Sequence, residues 1–273
     1  MAAKLGIIAG GGDLPARLVK VCRANGRAVF VLALEGQTDP ATVVGVDHAW
    51  VRLGQARPTL EALHGAGVEE LVLIGPVKRP GLNEIGFDLR SAQFLAKVTT
   101  QGLGDDGLLS AVIRVLEDEG FRVVGADQVL ADLLAPRGPI GAGRPDAQAE
   151  SDIARGLEVL RALGAVDVGQ AVVVQQGIVI GVEAAEGTDA LLARCPGLAR
   201  EGPGGVLVKI RKPGQERRVD LPTLGTETVA GAVRAGLRGI AVEAGGSLIV
   251  DRAAVASAAD AAGIFLCGID VPA

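Results

Sequence analysis

Lys4-Leu5-Gly6-Ile7-Ile8-Ala9-Gly10-Gly11-Gly12-Asp13-Leu14-Pro15 opens the chain with an apolar run, three glycines and the start of a helix. The run reads as a buried strand and is too short for the apolar part of a secretory leader. Glycines at a strand-to-helix turn let backbone N–H groups approach an anion, and the helix N-terminus adds positive potential there. The same glycines would equally serve a tight βα turn that needs positive φ, and the residues leave both readings open. A dinucleotide fingerprint is half present, because Pro15 stands where the third glycine belongs and Glu35 is a poor candidate for a ribose-binding acid. These departures count against a nicotinamide-dependent oxidoreductase.

Outward from this stretch, helical and β-rich patterns alternate. Residues 14–25 read as a helix, 28–34 as a strand, 58–65 as a helix and 71–75 as a strand. Helices over 88–99 and 105–119 and a strand at 121–125 follow, an order that implies βαβ units and a mostly parallel sheet. The stretch 135–145 is rich in proline and glycine and reads as a connection. Beyond it come a helix at 146–163, a hairpin of 171–174 with 178–182 around Gln175-Gln176-Gly177, and a second hairpin of 205–210 with 218–221 around Pro213-Gly214. Strand, helix and strand at 247–250, 251–262 and 264–268 close the chain. The expected fold is α/β in two domains: a Rossmann-like nucleotide- or phosphate-binding domain at 1–134, a linker at 135–145, and a mixed α/β catalytic domain at 146–273. The active-site cleft is expected between them.

Composition narrows the function. With 273 residues, 49% of them apolar, the chain can bury a core without staples. Five Phe, one Trp, no Tyr and a net charge of −5 argue against nucleic acid as a partner. Three dispersed cysteines and two histidines, with no CxxC, argue against zinc, and free thiols suit a reducing compartment. No apolar stretch is long enough to span a bilayer. A cytoplasmic protein, at most peripheral at a membrane surface, is expected.

Candidate chemistry lies in a few loops. Lys78 and Arg79, between prolines after the strand at 71–75, suit an anion clamp or a solvated loop. Asp105 and Asp106 open a helix, where capping is the simpler reading than Mg²⁺. Glu183, Glu186 and Asp189, with Thr188, follow an apolar strand; hard cations want such oxygens, and hydrolysis wants a carboxylate as base. A helix cap with solvated glutamates is the plainer alternative. Lys209, Arg211, Lys212, Arg217 and Arg218 surround the second hairpin, and Asp220 follows before a Pro-Thr turn. His48 and His64 read as ordinary surface or half-buried residues. The set suits metal-assisted phosphoryl chemistry with water as nucleophile. The rival from another class is a non-catalytic nucleotide- or lipid-binding module on the same scaffold.

These segments, in this order, carry a resemblance. IAGGGDLP, GPVKRP, GDDGLL, VEAAEGTD, GVLVKIRKPGQERRVDLPTLG and GIAVEAG resemble the LpxI-type UDP-2,3-diacylglucosamine pyrophosphatases, from about residue 4 to 268. The resemblance implies hydrolysis of UDP-2,3-diacylglucosamine to UMP and 2,3-diacylglucosamine 1-phosphate (lipid X) with Mg²⁺, water attacking the β-phosphorus. It implies a cytoplasmic enzyme of lipid A biosynthesis in peripheral contact with the inner membrane. The family's critical aspartate falls on Asp220, which with Lys209 and Thr223 makes the expected catalytic group. Gly10, Gly11, Gly12, Leu14, Lys78, Arg79 and Thr188 are the expected substrate contacts, and Glu183, Glu186 and Asp189 the expected Mg²⁺ ligands. A homodimer is the base-rate expectation.

Overall fold

The computed structural model describes residues 3–77, 105–212, 218 and 221–271. The chain divides into two compact units, the first reaching Ala131 and the second starting at Asp132; Arg218 belongs to the first, where it pairs with Glu117. The expected helix at 88–99 and the turn at Pro213-Gly214 lie outside the described residues.

The first unit is a parallel sheet. Strands β1 (Leu5–Ala9), β2 (Val29–Leu34), β3 (His48–Val51), β4 (Glu70–Ile74) and β5 (Arg122–Val123) lie in the order β3-β2-β1-β4-β5. Every neighbouring pair is parallel. Both faces of such a sheet are covered, so β2 is a continuous apolar run, Val-Phe-Val-Leu-Ala-Leu, buried at every position. Helix α1 (Leu14–Ala24) buries Leu14, Leu18 and Cys22 at intervals of four, with Pro15 in its first turn. Helices α2 (Ala56–Gly65) and α3 (Asp105–Asp118) give Leu60, Leu63, Ile113 and Leu116 to a core with Leu32, Leu71 and Phe121.

The second unit holds a six-stranded mixed sheet. Its strands are β6 (Gly138–Pro139), β7 (Ala171–Gln175), β8 (Ile178–Val182), β9 (Val206–Lys209), β11 (Gly239–Glu243) and β13 (Phe265–Ile269), in the order β6-β13-β11-β9-β7-β8. A separate parallel pair joins β10 (Thr223–Leu224) to β12 (Leu248–Ile249). Alternate residues of β7 divide between two cores: Val173 meets Leu191, Leu192, Val229 and Val255, whereas Val172 and Val174 meet Ile153 and Leu160. Helix α4 (Ala147–Gly164) thus covers one face, and α5 (Gly187–Arg194), α6 (Thr226–Arg234) and α7 (Arg252–Ala261) the other.

Two readings of the sequence change. The proline-rich stretch at 135–145 is built into the second unit: Gly138 and Pro139 pair antiparallel with β13, and Ala135 N–H donates to the Ser247 carbonyl at 2.9 Å. Proline is tolerated there because β6 is an edge strand. The second hairpin is also not formed on β9. Val206–Lys209 has β11 on one edge and β7 on the other, and residues 219 and 220 of the expected return strand lie outside the described residues.

The first hairpin does form. Gln176 and Gly177 both have positive φ, +54° and +76°. The buried Asp152 of α4 ties this turn down, accepting from Gln176 N–H (3.1 Å), Gly177 N–H (2.7 Å) and Gln148 Nε2 (3.2 Å). Asp152→Ala is expected to lower stability by about 2–3 kcal/mol, since it strips a charged acceptor from two turn amides. Urea unfolding checks this: the midpoint should fall with the slope unchanged.

Candidate active site

In an open parallel sheet, ligands bind beyond the carboxyl ends of the strands where the strand order reverses. Here the reversal falls between β1 and β4, at Gly10 and Gly75. The two loops interlock. Gly10 N–H donates to the Ile74 carbonyl at 2.9 Å and Gly11 N–H to the Pro76 carbonyl at 2.8 Å. A Cβ on Gly10 would stand 2.5 Å from the Gly75 carbonyl oxygen, which only glycine avoids. Of the three amides expected to meet the nucleotide or its phosphates, those of Gly10 and Gly11 already bond the end of β4 and the residue after Gly75. Gly12 is exposed, with φ +73°. Leu14 turns its side chain into the core and offers a ligand only its backbone. The buried Thr38 hydroxyl accepts from Leu34 N–H at 2.8 Å and donates to the Ala9 carbonyl, tying together the ends of β1 and β2. No pattern in the sequence marked it. Lys78 and Arg79 lie outside the described residues.

In the second unit, charged groups meet at the carboxyl end of β9. Lys209 and Glu183 are each only 6% exposed. Lys209 Nζ donates to Thr188 Oγ1 at 2.9 Å and to the Thr223 carbonyl at 3.2 Å. The Thr188 hydroxyl passes the contact on, donating to Glu183 Oε1 at 2.7 Å, while Glu183 Oε2 accepts from Gln170 N–H at 3.2 Å. Local sequence explains the assembly. Apolar β8 delivers Glu183 to the interior, Gly187 with φ +81° turns the chain, and α5 begins with Thr188 facing back. Thr223 Oγ1 donates to the Leu221 carbonyl at 3.2 Å, so Thr223 meets Lys209 through its carbonyl. Asp220 lies outside the described residues.

The other two acids are not in this group. Glu186 is exposed, pairs with Arg194 at 2.9 Å and accepts from Ala184 N–H at 3.2 Å. Its own backbone amide, and then Arg194, hold its carboxyl below the usual carboxylate range. Asp189 is exposed in the first turn of α5. Among the described residues no three metal-ligating side chains converge. Glu183, Glu186 and Asp189 therefore do not fit Mg²⁺ as a three-carboxylate seat: Glu183 has both oxygens engaged, one of them by the hydroxyl that also holds Lys209, and Glu186 turns out to Arg194. The sequence reading grouped them because they are close along the chain, and the turn at 184–187 separates them.

The sequence reading also passed over Glu243, a buried carboxylate at the end of β11 that accepts from Arg211 N–H at 2.9 Å. A signal was present: Val242-Glu243 at the end of β11 repeats Val182-Glu183, where Val182 ends β8 and Glu183 follows it.

A fixed ammonium at the carboxyl end of a strand, steadied by a hydroxyl and a buried carboxylate, can offset charge that builds on phosphoryl oxygens. Fold and site together define a two-unit α/β protein with charged groups gathered at a strand end. Comparison with known proteins then gives the family. The model of the LpxI N-terminal domain matches residues 4–133, and that of the LpxI C-terminal domain residues 136–267. The chain is 42% identical over 276 residues to the UDP-2,3-diacylglucosamine pyrophosphatase LpxI of Caulobacter vibrioides, covering 98% of each chain. It belongs to the LpxI family. Among the described residues no helix is long and apolar enough to cross a membrane.

Proposed function

We propose that this protein hydrolyses UDP-2,3-diacylglucosamine to UMP and 2,3-diacylglucosamine 1-phosphate, lipid X, a step of lipid A biosynthesis. The end-to-end match to the Caulobacter pyrophosphatase carries the reading. The chemistry of the site supports it. A diphosphate repels an incoming nucleophile, and the buried ammonium of Lys209 offsets negative charge as it grows in the transition state. Asp220, at the start of the segment whose Thr223 carbonyl touches Lys209, orients or deprotonates the attacking water. Water oxygen bonds to the β-phosphorus, the bond from that phosphorus to the bridging oxygen breaks, and UMP leaves with the bridging oxygen. Mg²⁺ belongs to the proposal as a requirement of the reaction, not as a ligand of Glu183, Glu186 and Asp189. Both lipids are amphiphiles, so peripheral contact with the inner membrane is part of the reading, and a homodimer is its base-rate assembly.

One assay tests this. Purified protein given the substrate in ¹⁸O-water should release UMP, with the label in lipid X, and chelation should stop the reaction. Label in UMP would overturn attack at the β-phosphorus, and activity surviving thorough chelation would remove Mg²⁺. Bound substrate that is never cleaved would return the protein to the binding-module reading.

A further inference from the structure

Of the three cations Lys209, Arg211 and Lys212 where β9 ends, Lys212 pairs with Asp167, whereas the other two stand beside buried glutamates. Glu183, on the β7–β8 side, steadies Lys209 through Thr188. Glu243, on the β11 side, accepts from Arg211 N–H at 2.9 Å and faces Arg211 Nη2 at 3.5 Å. Glu243 is 8% exposed, and Gly246 keeps its place open: a Cβ there would lie 2.3 Å from the Glu243 carboxyl carbon.

We infer that Lys209 and Arg211 form a two-cation seat for a diphosphate, with Glu183 and Glu243 as the residues that position them. This rests on the proposed function for the choice of ligand. Burying an ion pair contributes little to stability, because desolvation offsets the attraction, so two buried glutamates at one strand end are poorly explained by folding. The Arg211 side chain is 27% exposed, and among the described residues its fork has this single long contact with Glu243. A fork so lightly held can turn to phosphate oxygens, which it matches in a bidentate way. One cation suits one phosphate; two suit the paired charges of a P–O–P group.

Calorimetric titration of the full chain with UDP and with UMP tests the seat without any turnover. The wild type should bind UDP more tightly than UMP. Arg211→Ala should weaken UDP about tenfold or more, the usual size of a lost charge-assisted hydrogen bond, while UMP changes by less than about threefold. Glu243→Gln keeps an acceptor for the Arg211 amide but removes the charge, and should weaken UDP selectively as well. Unchanged UDP binding in Arg211→Ala, or equal losses for both nucleotides, would overturn the seat. If the diacyl substrate were not cleaved but UDP selectivity depended on Arg211, the seat would stand and the proposed function would fall. Intact turnover with no such dependence would give the reverse.

Discussion

Asp220→Ala is expected to cut UMP release by about 10²–10⁴-fold, the range for losing a general base, while the protein stays folded. Both halves of the expectation have a physical basis. Downstream of Asp220 the chain is anchored independently: Thr223 and Leu224 pair with Leu248 and Ile249, and Leu248 N–H donates to the Pro222 carbonyl at 2.8 Å. Removing the carboxylate leaves those bonds in place. The same anchoring puts the segment beside the fixed charge, through the Thr223 carbonyl on Lys209. Rates should therefore be measured beside a thermal melt. A folded variant with near-wild-type turnover would remove Asp220 from the mechanism. Asp220→Asn separates the two roles, because an amide still orients a water but takes no proton from it.

Lys209→Met should damage both turnover and stability. Losing a pre-placed charge that faces the transition state costs about 10²–10³ in kcat. It also takes the ammonium away from the Thr188 hydroxyl that holds Glu183, and a buried carboxylate left with less compensation lowers stability by about 1–3 kcal/mol. The effects can be told apart. Adding Glu183→Gln to Lys209→Met removes the stranded charge, so stability should largely return and activity should not. Denaturant unfolding and kcat for the single and double variants provide the readout. Recovery of turnover in the double variant would show that Lys209 serves the fold and not the reaction.

Much of this architecture was legible from local pattern. The run Ile7-Ile8-Ala9 before three glycines and Pro15 marks a strand, a turn and a helix start, and β1 and α1 are found there. The hairpin at Gln176-Gly177 was readable because its turn needs positive φ at both residues. Strands β3 and β11 were not identified. His48-Ala49-Trp50-Val51 is a short edge strand with little alternation, and a five-residue apolar run such as Gly239–Glu243 suits strand or helix equally.

The site divides along a similar line. By itself the sequence determined the two-unit α/β plan, the family through its ordered motifs, and the chemical types available: glycines at a strand end, cations on β9, and carboxylates after β8. These follow from periodicity and turn chemistry, which act over a few residues. Tertiary structure decided which of those groups meet. Thr188, which holds Glu183, reaches Lys209 across 21 positions of chain and Glu243 reaches Arg211 across 32, because strands β7, β9 and β11 are neighbours in the sheet. Glu186, three residues from Glu183, turns away to Arg194. Nearness along the chain says little about nearness in space once a strand ends and a turn re-aims the backbone; the pairing of strands, driven by burial of their apolar faces, sets which charges share a site.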